Sequence, residues 1–169
     1  MSGVARLTAS TRVGGVGLAS VAVSYGFARY GYGLLLPEMR VDLDLSTEAL
    51  GLVASAGYVG YLLAVVAAGW LCVRTDPRVP VAVGGVSAML GMALLAAGGS
   101  APAFAVGAVL AGASSGWTWA PFSDLAQCTV PVQRRPRVLS VVSTGTTFGL
   151  VAAAGLALLA GTQWRVAWA

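Results

Sequence analysis

The stretch "AMLGMALLAAGGSAPAFAVGAVLAG", residues 88–112, decides how this chain folds. It is the middle of a tract from Val79 to Ser123 that holds no charged residue. A helix needs about 20 residues to cross the hydrocarbon core of a bilayer, so this tract is too long for one crossing. Its segment GGSAP, residues 98–102, supplies glycines that end one helix and a proline that begins the next. We therefore predict two membrane helices joined by a short turn.

The composition of the whole chain points the same way. Of its 169 residues, 57% are hydrophobic and 9% are charged, and the mean hydropathy is +0.82. A soluble domain carries about 25% charged residues. The basic residues are all arginines in short segments between apolar runs, so they form no stripe for nucleic acid. Cys72 and Cys128 lie in separate runs and are expected to be apolar fillers. We predict an integral membrane protein whose partner is the lipid bilayer, with no nucleic acid, metal or cofactor.

Apolar tracts elsewhere in the chain extend this pattern. They predict five transmembrane helices, at about 14–36, 48–72, 80–98, 102–123 and 138–161. The tracts show no alternation of polar and apolar residues, which excludes barrel strands. The predicted fold class is therefore all-α integral membrane. Residues 1–12 form a predicted tail, and residues 13–169 form the predicted transmembrane domain.

The arginines between these helices predict the orientation of the chain. Seven of the ten fall on the side of the N-terminus: Arg6, Arg12, Arg74, Arg78, Arg134, Arg135 and Arg137. Basic residues are enriched in the cytoplasmic loops of membrane proteins. We therefore predict a multi-pass protein of the plasma (inner) membrane with a cytoplasmic N-terminus. Labelling is expected to reach Ser100 from outside and Arg135 from inside.

Small residues recur every four positions along three of the predicted helices. Close packing of such residues is what holds helices together in a membrane. The three stripes are Ala56, Gly60, Ala64 and Ala68; Ala108, Gly112, Gly116 and Ala120; and Gly145, Gly149 and Ala153. We interpret them as helix-packing faces. In a bundle that moves, smooth faces also permit sliding, so their glycines are candidate gating positions.

An arginine interrupts the first predicted helix. In "GFARYGYGLLLP", residues 26–37, Arg29 stands among apolar residues and cannot lose its charge by titration. Helical spacing predicts Tyr25, Arg29 and Tyr32 on one face. One interpretation is a structural lock, in which Arg29 pairs with a carboxylate or with backbone carbonyls. However, the apolar cores hold no Asp or Glu, and charges inside membranes mark polar pathways. We therefore predict that these three residues bind a small organic solute through an anionic group.

Several motifs resemble those of a known transporter family. "FARYGYGLLLP" at 27–37, "LGLVASAGYVGYLLA" at 50–64 and "GASSGWTWAP" at 112–121 are similar to the YbfB/YjiJ-type branch of the major facilitator superfamily. The resemblance implies a secondary active transporter that works by alternating access between two six-helix halves. "GTQWRVAWA" at 161–169 resembles the segment that leads into the sixth helix. The chain is therefore expected to be an N-terminal half that is truncated before that helix. Because it lacks the C-terminal half, it is expected not to transport alone.

The resemblance extends to the cytoplasmic loop after the second predicted helix. The family signature there is a glycine, an acid four residues later, and then an arginine. Gly69 and Arg74 match it, and Arg78 lies in the same loop. Val73 stands at the acidic position, with Asp76 nearby. The Gly-Pro pair that the family usually has in its fifth helix is replaced here by recurring glycines.

Other classes of function find less support in the sequence. An enzyme is not predicted, because the chain has no P-loop, no HExxH motif, no nucleophile elbow and no histidine. The alternative to a transporter is a small helical membrane subunit or scaffold that associates with itself or with a partner. The face with Tyr25, Arg29 and Tyr32 favours the transporter, because a scaffold has little use for it.

Overall fold

A computed structural model describes residues 3–161 and 163–168, with side chains from residue 10 onward. Within these ranges the chain is helical and contains no strand. Residues 1 and 2 of the predicted tail, and the side chain of Arg6, lie outside the described residues.

The helices follow one another through short connections. In chain order they are α1 (Gly3–Val21), a π-helical segment (Ala22–Tyr30), α2 (Gly31–Asp42), α3 (Thr47–Arg74), α4 (Arg78–Ala97), α5 (Ala101–Ser114), α6 (Trp119–Thr129) and α7 (Arg135–Ala160). Short 3₁₀ turns lie at Ser115–Trp117, Val132–Arg134 and Trp164–Trp168. The predicted break at residues 98–102 is present between α4 and α5.

Three of the described helices are long and apolar enough to cross a membrane: Thr47–Arg74, Arg78–Ala97 and Val132–Ala160. They correspond to the predicted spans 48–72, 80–98 and 138–161. An all-helical chain is thus confirmed, and its apolar helices indicate a membrane protein. The first and fourth predicted spans stay predictions, because each is divided into shorter helical segments.

Local side-chain chemistry explains where the long helices begin. The Ser46 hydroxyl accepts a hydrogen bond from the Ala49 amide at 3.1 Å and caps α3. Before α4, whose N-cap residue is Pro77, the Arg78 amide donates a hydrogen bond to Oδ1 of Asp76 at 2.8 Å. A carboxylate here also interacts favourably with the positive end of the helix dipole.

The fourth predicted span, 102–123, is divided by hydroxyl side chains. Ser114 donates to the carbonyl of Ala111 at 2.6 Å, and Ser115 donates to that of Gly112 at 3.0 Å. Thr118 donates to the Ser114 carbonyl at 3.1 Å. Side chains that bond to nearby carbonyls compete with the regular helical ladder. The chain therefore tightens into a 3₁₀ turn at Ser115–Trp117 and resumes as α6, which extends beyond the predicted end.

The first predicted span, 14–36, is also longer and less regular than expected. Helical structure continues from α1 through the π-helical segment to the end of α2 at Asp42. The π-helical segment lies against α7 at very short range, because a Cβ placed on Gly26 would come within 2.6 Å of the Cα of Gly149. Such π segments often coincide with functional sites in helices.

The two ends of the bundle carry different charged groups. Arg165 pairs with Asp42 at 2.6 Å, and its other terminal nitrogen lies 3.4 Å from the carbonyl oxygen of Gly98. Gly98 follows α4, whereas Arg78 begins α4, so the two mark opposite ends. At the end marked by Arg78, one cavity is flanked by Arg12 and Arg78 and another by Arg134 and Arg137.

Candidate solute-binding site

The guanidinium of Arg29 lies between three helical segments of the bundle. Arg29 is the last but one residue of the π-helical segment and is half-buried. One terminal nitrogen donates a hydrogen bond to the hydroxyl of Ser115 at 3.2 Å. Ser115 is fully buried in the 3₁₀ turn that divides the fourth predicted span. The irregular turn therefore supplies a hydrogen-bond acceptor for the charge in the first span.

Aromatic rings surround the same guanidinium. Its central carbon lies 4.1, 5.2, 5.7 and 5.8 Å from the ring centroids of Tyr61, Tyr58, Tyr30 and Tyr25 respectively. A cation within about 6 Å of an aromatic centroid is attracted by the electron-rich face of the ring. We call these four side chains the tyrosine cage. The fifth tyrosine of the chain, Tyr32, lines the adjoining cavity.

No carboxylate balances this charge among the side chains that the structure describes. The ion pairs found there join Arg78 to Asp76 and Arg165 to Asp42, both away from Arg29. The structural lock between Arg29 and a carboxylate is therefore not formed by these residues. A guanidinium has five N–H donors in a planar fork, and the Ser115 hydroxyl accepts from one of them. The arrangement leaves donor capacity for an anion.

A cavity of about 260 Å³ opens beside Arg29. It is lined by Arg29, Tyr30, Tyr32, Gly33, Val53, Ala54, Gly57, Tyr58, Ala108 and Gly112. Two of the lining glycines border open space, since a Cβ placed on Gly33 or Gly57 would meet no atom within 4 Å. The cavity combines a fixed cation with a mostly apolar wall. That combination suits a small organic anion rather than an inorganic one.

The family model for the major facilitator superfamily matches residues 18–169, which include every residue of this site. The chain belongs to the major facilitator superfamily. A comparison with curated proteins gave no match. Members of this superfamily are transporters and not enzymes. The cavity beside Arg29 thus lies within a member of this superfamily.

The three residues predicted to bind solute occupy different places in this superfamily member. Tyr25 lies against Arg29, with its ring centroid 5.8 Å from the central carbon of the guanidinium. Tyr32 lines the cavity with Arg29, but its ring packs on Phe104 with a centroid distance of 6.0 Å. The helical spacing used for the prediction assumed 3.6 residues per turn. The π-helical segment has a longer repeat and changes the angle between Tyr25 and Tyr32 around the axis.

Three members of the tyrosine cage were not predicted. Tyr58 and Tyr61 lie three residues apart on one face of α3, in the otherwise apolar "GYVGYLLA" at 57–64. That spacing could have indicated a polar site on α3, because tyrosine hydroxyls inside a membrane need hydrogen-bond partners. The contact between Tyr30 and Arg29 was not predictable, because side chains of adjacent residues on an ideal helix point about 100° apart.

Four of the five predicted packing glycines, Gly60, Gly116, Gly145 and Gly149, lie at close helix contacts. A Cβ on Gly116 would come within 2.5 Å of the Tyr61 carbonyl oxygen, and one on Gly60 within 3.3 Å of Val109. A Cβ on Gly145 or Gly149 would overlap the backbone of Leu18 or Ala22 respectively, whereas a Cβ on Gly112 would lie at an ordinary contact distance of 3.7 Å from the backbone of Gly57. Their predicted gating role stays a prediction.

The predicted cytoplasmic-loop residues lie apart from the solute site. Gly69 faces open space on α3, and the Arg74 guanidinium lies 4.2 Å from the ring of Trp70. Arg78 pairs with Asp76 at 3.8 Å, and both side chains are well exposed. Asp76 thus contacts an arginine of this loop, although Val73 holds the acidic position of the family signature.

Proposed function

We propose that this chain is part of a secondary active transporter for a small organic anion, which binds beside Arg29. The observation that carries the proposal is the environment of the guanidinium. It lies against the rings of the tyrosine cage, donates a hydrogen bond to Ser115, and borders a cavity, with no carboxylate partner among the described side chains.

A carboxylate is the anionic group that suits this site best. The planar fork of a guanidinium matches the two oxygens of a carboxylate and binds them through parallel hydrogen bonds. Their attraction is stronger in a low-dielectric cavity than in water. The proposed binding residues are Arg29 together with Tyr25 and Tyr32. Because the apolar cores contain no Asp, Glu or His, a proton-coupling group is expected outside them.

The cavity is proposed to be completed by a second half, as alternating access requires. Tyr58 is 60% exposed and Tyr30 is 45% exposed, so one wall of the cage is open at the surface of the bundle. Polar residues that face an open side inside a membrane need a covering partner. We propose that the chain forms one half of the transporter, in the YbfB/YjiJ-type branch that its motifs resemble, and that a C-terminal half covers this side.

Binding measurements on the 169-residue chain in lipid nanodiscs test the proposed site. Acetate, pentanoate and benzoate are each titrated by calorimetry against the matching amide, which lacks the charge. At least one carboxylate is expected to bind with a preference over its amide. Arg29→Lys keeps the positive charge but loses the fork, and it is expected to weaken that binding while the thermal unfolding temperature stays close to wild type.

A different result for the two Arg29 variants would show that this residue has a structural role and does not bind solute. If Arg29→Lys left the affinity for every carboxylate unchanged while Arg29→Ala abolished folding, the residue would be a lock and the proposed site would be wrong. Uptake by proteoliposomes adds a second readout. The chain alone is expected not to transport the carboxylate that it binds, because one wall of the cavity is open.

The proposed orientation places the arginine-rich end in the cytoplasm of a cell with an inner membrane. In a background with Cys72→Ala and Cys128→Ala, single cysteines at Ser100 and Gln133 lie at exposed positions near opposite ends. Gln133 is preferred to Arg135, because the Arg135 side chain bonds to the carbonyls of Val130 and Gln127. An impermeant maleimide added outside intact cells is expected to label Ser100→Cys only. Labelling of Gln133→Cys alone would reverse the topology.

The alternative function is a small membrane subunit that builds its cavity by association of copies. The open wall at Tyr58 favours it, since a second copy could cover that wall. Crosslinking in nanodiscs that gives one discrete dimer, together with carboxylate uptake that depends on Arg29, would support this alternative over the two-half transporter.

A further inference from the structure

A second cavity lies between α1 and α7 at the arginine-rich end of the bundle. Its volume is about 590 Å³, and pockets that hold small ligands measure about 300–1,000 Å³. Arg134 and Arg137 line it together with Gly14, Gly15, Val138 and Val141, and none of these residues lines the cavity beside Arg29. We call it the α1–α7 groove.

The α1–α7 groove changes from charged to apolar along α7. Arg134 directly precedes this helix, Arg137 lies in its first turn, and Val141 follows one turn later. At 1.5 Å per residue, Val141 lies about 6 Å beyond Arg137 along the helix axis. The segment Val132–Ala160 is long and apolar enough to cross a membrane, so the arginines lie at its end and the valine lies further in. This order matches that of the headgroups and acyl chains of a bilayer.

Two glycines of α1 form the opposite side of the groove. A Cβ placed on Gly14 would lie at ordinary contact distances, 3.8 Å from Val141 and 3.9 Å from Val138, so these three residues form an apolar floor. A Cβ placed on Gly15 would meet no atom within 4 Å, and Val141 is 39% exposed. The floor is therefore open to the surroundings of the bundle.

The two arginines of the groove are also accessible. Both side chains are exposed, and neither forms an ion pair with a carboxylate among the side chains that the structure describes. Arg135, which lies between them in sequence, differs because its guanidinium donates to backbone carbonyls. Two cations at the mouth of one groove favour a ligand with net negative charge, and guanidinium groups bind phosphate oxygens through parallel hydrogen bonds.

We infer that the α1–α7 groove binds an anionic phospholipid of the surrounding membrane. Its phosphate oxygens accept hydrogen bonds from Arg134 and Arg137, and an acyl chain lies along Gly15 and Val141. A free phosphate would make only the first of these contacts. A zwitterionic lipid also carries an ammonium group, which the two arginines repel. Basic pockets between membrane helices bind anionic headgroups in this way. The inference depends neither on the solute at Arg29 nor on the orientation of the chain.

Lipids that share their acyl chains but differ in net charge test the role of the arginines. Native mass spectrometry of the full chain in a neutral detergent gives dissociation constants for dioctanoyl phosphatidylglycerol and dioctanoyl phosphatidylcholine. A basic residue near a membrane surface contributes roughly 5-fold to the affinity for anionic lipid, which corresponds to about 1 kcal/mol. The wild type is therefore expected to bind phosphatidylglycerol roughly 5–30-fold more tightly than phosphatidylcholine.

Two double variants separate this site from the net charge of the chain. Arg134→Gln combined with Arg137→Gln is expected to abolish most of the preference for phosphatidylglycerol. Arg40→Gln combined with Arg74→Gln removes the same charge from two exposed arginines that do not line the groove, and it is expected to keep the preference. The inference is overturned if the wild type shows no preference, or if both double variants reduce it equally.

A third variant and a soluble competitor test the place of the acyl chain. Gly15→Leu fills the open part of the groove and leaves both arginines in place, so it is expected to weaken the binding of phosphatidylglycerol several-fold. Glycerophosphoglycerol, the headgroup without its chains, is expected not to displace the lipid when it is present in excess. If the headgroup displaces the lipid, or if Gly15→Leu leaves the affinity unchanged, the groove holds a soluble anion or no lipid chain, and the inference is wrong.

Discussion

The contact between α7 and the π-helical segment predicts a strong effect for the substitution Gly149→Ala. A Cβ added at Gly149 would overlap the carbonyl oxygen of Ala22 and lie 2.7 Å from its carbonyl carbon. These are backbone atoms and cannot turn aside as the end of a flexible side chain can. The two helical segments would have to separate. This would also disturb their contact at Gly26, where an added Cβ would lie 2.6 Å from the Cα of Gly149.

Gly155→Ala on the same helix is the matched control. A Cβ at Gly155 would meet no atom within 4 Å. Both substitutions favour the helical conformation by roughly the same amount, about 0.5–1 kcal/mol, so this contribution cancels between them. The difference that remains is the cost of overpacking, typically about 1–3 kcal/mol. For a chain of this size that corresponds to a difference of roughly 2–12 °C in unfolding temperature.

The fluorescence of the tryptophans reports the unfolding temperature of each variant in nanodiscs at one heating rate. Gly149→Ala is expected to unfold at the lower temperature, and Gly155→Ala at or slightly above that of the wild type. Equal unfolding temperatures for the two variants would show that the backbones of α7 and the π-helical segment do not approach this closely, and the packing argument would be refuted.

Two further substitutions test contacts of the arginines. Ser115→Ala removes the buried hydroxyl that accepts from Arg29, and it should lower stability by about 1.5–3 kcal/mol, because this hydrogen bond involves a charged group. Ser114→Ala removes a neighbouring buried hydroxyl that donates to the Ala111 carbonyl, and it should cost less; chemical unfolding that gives equal stability for both variants would contradict the role of Ser115. The exposed ion pair of Arg165 and Asp42 should contribute only about 0.2–1 kcal/mol to the free energy of unfolding, as measured by a double-mutant cycle. This coupling should weaken as salt is added, and a coupling that is independent of salt would argue against a surface ion pair.

The surroundings of Arg29, the candidate solute site, were only partly predictable from sequence. Arg29 was identifiable because a permanent charge in an apolar tract has few structural explanations. Tyr25 is four residues away, and the structure places it beside the guanidinium. Ser115 was not predictable, since it is 86 residues away in the chain and resembles any serine in a membrane helix. Its position depends on the 3₁₀ turn, which forms where neighbouring hydroxyls bond to the helix carbonyls.

The sequence by itself determined that the chain is helical and apolar and that a break separates α4 from α5. These features follow from local chemistry: the length of an apolar tract, and the glycines and proline that stand at the turn. Tertiary structure alone decided the partners of Arg29 and the packing of Tyr32 on Phe104. Each of these depends on atoms that are distant in sequence, which no local pattern encodes.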